Sequence, residues 1–212
     1  MEVQELAPGL WRWTGWHEEW KQNVGSVYCE IGDAVVLIDP LVRPEDSQRF
    51  WRALDRDVKR ADRPVHVLVT IFWHTRSARE VIQRYDARLW ASSRGRAAVA
   101  RRAGEVTDPI RPGDPLPGGI GAYETGRGTE VVYWLPEHRA LVPGDMILGA
   151  DGGGLRLCPE SWLPDGVGHR RVRQVMKPLL ELPVEQVLVS HGDPVLEGAR
   201  QALTQALAPS AA

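Results

Sequence analysis

The stretch that decides the fold is EVVYWLPEHRALVPGDMI, residues 130–147. Two apolar, β-prone runs, 130–134 and 139–142, flank the turn LPEH, which predicts a hairpin. The second run empties into Pro143-Gly144-Asp145, so a carboxylate sits directly after a strand. The same arrangement recurs at the end of the chain, where QVLVS (186–190) delivers His191 in VLVSHGDP. It recurs twice in the first half, where AVVLI ends at Asp39-Pro40 and a strand over 65–71 enters the turn Trp73-His74-Thr75-Arg76. Functional side chains on layered α/β scaffolds collect in such loops. Asp after a strand is also a common turn former, so the joint placement of Asp39, His74, Asp145 and His191 is the informative feature.

The elements between these points alternate. VGSVYCEI and AVVLI are separated by Gly32-Asp33, a hairpin signature. Phe50, Leu54 and Val58 follow at helical spacing in EDSQRFWRALDRDVKRA. Ser77 and Glu80 read as a capping box opening a helix through about Tyr85. A short strand, ARLWAS, precedes the helix SRGRAAVARRAG, stopped by Gly104. Pro, Gly and Asp dominate residues 105–121, which reads as a linker between two similar halves of one domain, residues 1–212. The helix in GHRRVRQVMKPLLELP and a last helix, EGARQALTQALA, close the second half, and the tail 208–212 is expected to fray. Two units of hairpin strands followed by helix-strand alternation predict two sheets face to face with helices outside, a four-layer α/β/β/α sandwich.

Composition narrows the function classes. The 26 basic and 28 acidic side chains give a formal charge of -2 over 212 residues, which offers no basic field for nucleic acid or anionic lipid. No apolar run reaches membrane-spanning length and the first residues lack a signal-peptide pattern. Cys29 and Cys158 form no CxxC pair, which fits a reducing cytoplasm. The Ala and Arg content suggests a bacterial gene. A protein acting on a small molecule is the expectation, and no feature specifies an oligomeric state. Of the nine Trp, Trp11 and Trp13 alternate as strand neighbours and read as core. Trp16, His17 and Trp20, in a loop, read equally as an aromatic wall of a substrate pocket or as packing, and Trp73 belongs with them. His66, His138 and His169 read as structural or solvated.

VVLIDP, the strand VHVLVT with its His-bearing turn, EVVYWLPEHRALVPGDMI and VLVSHGDP together resemble the metallo-β-lactamase superfamily, in order and approximate spacing, over residues 8–200. The resemblance implies two zinc or iron ions held by an HxHxDH motif, a His in a PGHT-like turn, a bridging Asp and a final His. Asp145 matches the bridging Asp, His191 the final His and Asp39 a structural Asp. The HxHxDH motif is eroded. One register sets Phe72, His74, Arg76 and Ser77 against its His, His, Asp and His; another, anchored on Thr70, retains no ligand. The first is preferred because it puts Ser77 at the helix start. Gly126 stands near the place of the PGHT-like His.

His74, Asp145 and His191 therefore remain as metal ligands, enough for one ion, with zinc the natural candidate. Such an ion would support hydrolysis of an ester, thioester or amide-like bond. Arg76 offers a competing arrangement, in which its guanidinium replaces the ion's charge and pairs with Asp145, leaving the pocket metal-free with His74 or His191 as general base. The expected function is a divergent hydrolase with at most one metal ion; the alternative is a non-enzymatic ligand- or partner-binding relative. No GxSxG elbow supports a serine hydrolase.

Overall fold

A computed structural model describes residues 1–209. Seven strands form the first sheet in sequence order: β1 (Glu2–Ala7), β2 (Leu10–His17), β3 (Gln22–Ile31), β4 (Ala34–Ile38), β5 (Val65–Val69), β6 (Arg88–Ser92) and β7 (Asp108–Ile110). Strands β1 to β4 pair antiparallel, and β4 to β7 pair parallel. The second sheet has the order β13-β10-β9-β8, built from β8 (Gly121–Glu124), β9 (Val131–Leu135), β10 (Ala140–Val142) and β13 (Gln186–Val187). A separate hairpin joins β11 (Ile147–Gly149) to β12 (Leu155–Leu157). The helices are α1 (Ser47–Ala61), α2 (Ala78–Tyr85), α3 (Arg96–Ala103), α4 (His169–Met176) and α5 (Ala199–Leu207).

Side-chain alternation along the strands sorts these elements into layers. Val36, Ile38 and Leu68 face Val131, Tyr133 and Leu135 in a core between the sheets. Their sequence neighbours Val35, Leu37 and Val67 point the other way, against Leu54 of α1, Ala78 and Val81 of α2 and Val99 of α3. On the second sheet, Val132, Trp134 and Leu141 pack against Val172 and Met176 of α4 and Leu203 of α5. The result is the expected α/β/β/α sandwich. Strands β4, β5, β9 and β10 are buried on both faces, which is why they read as continuous apolar runs. The Tyr133 hydroxyl ties the two sheets together by donating to the Val69 carbonyl at 3.0 Å.

Several local expectations are corrected. Trp16 and His17 lie in β2 rather than in a loop; the loop is the turn 18–21, which carries Trp20. The strand expected over 65–71 ends at Val69, and Phe72–Thr75 form a 3-10 turn. Ser77 does precede α2, but its hydroxyl makes no cap bond. It accepts from the Val42 amide at 3.0 Å instead, tying the helix start to the loop after β4. The 105–121 segment contains β7, so part of it extends the first sheet. The strand QVLVS is regular only at Gln186–Val187. Of the tail expected to fray, residues 210–212 lie outside the described residues.

Candidate metal centre

The ends of β4, β5, β10 and β13 meet at one edge of the sandwich. Backbone hydrogen bonds across the sheets hold them there: the Val131 amide donates to Thr70 O at 2.9 Å, and the Gly25 amide to Ser190 O at 2.7 Å. Asp39, at the end of β4, adopts φ 49°. Its carboxylate accepts from the Thr70 amide at 2.8 Å and the Thr70 hydroxyl at 2.5 Å. It also lies 2.8 Å from Nδ1 of His74. That contact assigns the Nδ1 proton to the Asp39 side and points Nε2 the other way.

His74 Nε2 and His191 Nε2 each lie 3.0 Å from the same atom, Oδ1 of Asp145. Neither His74 Nε2 nor Asp145 Oδ1, both buried, has a partner in hydrogen-bonding geometry. One ligand atom from each of the three residues falls within 4.8 Å of the others. Buried polar atoms are ordinarily paired, so two unpaired buried atoms converging with a third metal-ligating side chain make a candidate cation site. The chemistry of the set fits: two imidazoles and a carboxylate suit zinc, and tetrahedral bonds of about 2.1 Å place neighbouring ligand atoms roughly 3.4 Å apart. The 3.0 Å separations need to open by only a few tenths of an ångström.

The surroundings fix the three candidate ligands. Asp145 Oδ2 accepts from Trp73 Nε1 at 2.6 Å, which leaves Oδ1 facing the imidazoles. The Asp145 amide donates to Glu130 Oε1 at 2.7 Å. Glu130 pairs through Oε2 with Arg127 at 2.9 Å, and Arg127 reaches on to Trp162 O at 2.6 Å. The turn before Asp145 needs glycine: Gly144 has φ +63°, and a Cβ there would stand 2.7 Å from Glu130 Oε1.

Charge is balanced within the cluster. Burial alone would raise the Asp145 pKa, yet His74 and His191 hold it well below the usual carboxylate range. Burial and Arg76 push His74 down, but Asp145 and Asp39 outweigh them and its pKa is raised. Burial pushes Glu130 up to about 7 against the opposing pull of Arg127.

Arg76 departs from the expected pairing with Asp145. Its guanidinium donates to Gly25 O at 2.8 Å, Asp39 O at 3.0 Å and Ser190 Oγ at 2.7 Å. The backbone of Arg76 is strained at φ 36°, ψ -113°, a conformation that persists where surrounding contacts over-determine it. Two carbonyls and a hydroxyl hold the guanidinium, while Asp145 faces His74, His191 and Trp73 instead. Burial lowers the Arg76 pKa to about 10, with Asp39 and Asp145 pulling it back, so it is charged at neutral pH. Its charge is felt by the ligands, but it does not fill the space between them.

A cavity of about 550 Å³ opens over Asp145 and His191, walled by Trp20, Phe72, Trp73 and Trp162, with Arg102 and Gln22 completing its lining. Trp20 lies 5.6 Å from the His74 ring and 5.9 Å from the His191 ring, and His17 stacks behind it at 4.0 Å. Burial, reinforced by Arg76, lowers the His17 pKa. Trp16 is exposed and does not line the cavity. Reading from sequence missed Phe72, Arg102, Arg127, Glu130 and Trp162. Only the Arg127–Glu130 spacing of three carried a signal, and nothing marked that pair as buried.

No protein-family model matches the chain, and no curated protein does. Solved structures do. A metallo-β-lactamase from Pontibacter korlensis superposes with a TM-score of 0.70 at 17% identity, covering 97% of this chain and 98% of its own. DIM-1 metallo-β-lactamase, exposed to ceftazidime, gives 0.69 at 12% identity, covering 97% and 95%. The chain has the metallo-β-lactamase fold. FIM-1 from Pseudomonas aeruginosa, in its mono-zinc form, has the same fold with a TM-score of 0.68 at 11% identity, covering 97% of this chain and 94% of that one. No described helix is long and apolar enough to cross a membrane.

Proposed function

We propose that this protein is a hydrolase that carries at most one divalent ion, best zinc, on His74, Asp145 and His191, and cleaves an ester, thioester or amide-like bond in a small molecule. The observation that carries this reading is the pair of buried, unsatisfied atoms, His74 Nε2 and Asp145 Oδ1, converging with His191. The fold is shared with a protein solved in a mono-zinc form. When bound, an ion supplies Lewis acidity toward a carbonyl and lowers the pKa of water toward about 7.

The chain's own residues prepare that chemistry. Asp39 and Thr70 hold His74 by Nδ1, which turns Nε2 toward Asp145, where it could bind an ion. Trp73 fixes one carboxylate oxygen of Asp145 and frees the other. The aromatic walls exclude water and receive an apolar part of the substrate next to Asp145 and His191.

Protein purified without added metal or affinity-tag nickel is expected to contain no more than one ion per chain by elemental analysis. Aryl esters and thioesters are the first substrates to test. Asp145→Ala and His191→Ala are each expected to lose the ion and about 100-fold or more of the turnover. Two tightly bound ions per chain, or full turnover in Asp145→Ala, overturns the proposal. An ion-loaded protein with no turnover on any of these substrates points to the ligand-binding alternative.

A further inference from the structure

Three guanidinium groups lie in or near the cavity wall, of which Arg102 alone lines it, and they differ in what they already hold. Arg76 is spent on two carbonyls and the Ser190 hydroxyl. Arg127 is neutralised by Glu130, with its guanidinium 5.3 Å over the Trp73 ring. Arg102, in the last turn of α3, has no carboxylate partner among the described residues. Its guanidinium stands 5.0 Å over the Phe72 ring, and one long bond, 3.3 Å, runs back to Ala98 O. It therefore presents a held cation without a carboxylate partner to a cavity walled otherwise by four aromatic side chains and Gln22, with Asp145 and His191 in its lining as well.

The shape and chemistry of this lining select a ligand. A volume of about 550 Å³ suits a small organic molecule. Indole and phenyl faces favour a flat apolar body. A planar guanidinium braced on an aromatic ring keeps its donor edge available for a carboxylate, and the adjoining apolar surface strengthens that contact over one in open water. We infer that the substrates of this site are aryl or similarly flat apolar molecules carrying a carboxylate remote from the scissile carbonyl, with Arg102 receiving the carboxylate. This rests on the hydrolase reading above for the carbonyl end, whereas the anion preference is a property of the cavity itself.

The test measures equilibrium binding of naphthylacetate and its uncharged isostere naphthylacetamide to the isolated protein, by quenching of tryptophan fluorescence. Naphthylacetate is expected to bind roughly fivefold more tightly than the amide, as one charge-assisted contact at a partly exposed site supports. Arg102→Met keeps much of the apolar stem at an exposed helix position, and it should bring the acid down to the affinity of the amide while leaving the amide unchanged. Arg102→Lys should retain part of the preference. Equal binding of the two ligands, or no saturable binding of the acid, overturns the inference. So does a preference that survives in Arg102→Met, because the anion would then sit on the metal ligands or Arg76. Hydrolysis of p-nitrophenyl acetate, followed in parallel, separates this inference from the proposed function. Turnover without acid preference removes the inference and leaves the hydrolase, whereas acid preference with no turnover of any aryl ester or thioester leaves an anion-selective cavity without the hydrolase.

Discussion

Two neighbouring regions at the same sheet edge treat their polar atoms in opposite ways. Around Arg76, the guanidinium, two backbone carbonyls and the Ser190 hydroxyl satisfy one another, and only Nε is left without a partner. Around Asp145, a few side chains away, His74 Nε2 and Asp145 Oδ1 are buried and aligned with nothing. Both regions carry charge and both are buried. The difference is what each leaves over: the Arg76 region is closed by the protein's own groups, whereas the Asp145 region keeps two buried atoms unmatched and open to an ion. In the first region the oxygen lone pairs already hold a guanidinium, whereas in the second the three converging ligand atoms hold no cation of the protein's own.

That contrast is easiest to break through stability. Arg76→Met leaves Gly25 O, Asp39 O and Ser190 Oγ facing an apolar stem, and we expect a loss of about 3 kcal/mol in urea unfolding. A loss below about 1 kcal/mol would mean that the guanidinium is not what closes this region. Next in size is the effect of the ion. Zinc at about 100 times its dissociation constant should stabilise metal-free protein by about 2.7 kcal/mol. Asp145→Ala should show no such gain. An equal gain in that variant would place the ion elsewhere.

How far the sequence reached these regions depends on what each is made of. Asp39, His74, Asp145 and His191 were legible because each follows an apolar run directly, and strand ends gather by topology alone. The four layers were legible for the same reason: strands buried on both faces leave unbroken runs such as AVVLI and EVVYW. Arg76 was legible as an anomaly and misread as a partner of Asp145, since sequence cannot show that backbone carbonyls compete for a guanidinium. Ser77 was misread in the same way, its hydroxyl going to Val42 rather than to its own helix. Strands β11 and β12, three residues each around a glycine-rich turn, are too short for a period to register. Glu130 and Arg127 became a buried pair only through tertiary packing.

The orientation of Asp145 offers a finer test of the open region. Trp73→Phe removes the 2.6 Å bond to Oδ2 while keeping an aromatic face beneath Arg127. Zinc affinity should fall about tenfold, the usual scale for losing an orienting partner of a ligand. Competition with a chromophoric chelator measures it, and an unchanged affinity would show that the two imidazoles suffice to aim the carboxylate.

The smallest effect is the most discriminating, because it lies one residue from a ligand. Ser190 and His191 are consecutive, yet the Ser190 hydroxyl accepts from Arg76 in the closed region while His191 faces Asp145 in the open one. The Ser190 carbonyl accepts from the Gly25 amide, so the backbone between the two residues is held whatever the serine side chain does. Ser190→Ala should therefore cost about 1 kcal/mol of stability, the value of one hydrogen bond to a charged donor partly offset by relaxation. Zinc affinity should stay within about twofold, since the ligand's backbone anchor is untouched. If zinc binding instead weakens as much as in Trp73→Phe, the closed region transmits its geometry to the open one, and the two must be treated as a single site in which Arg76 positions His191.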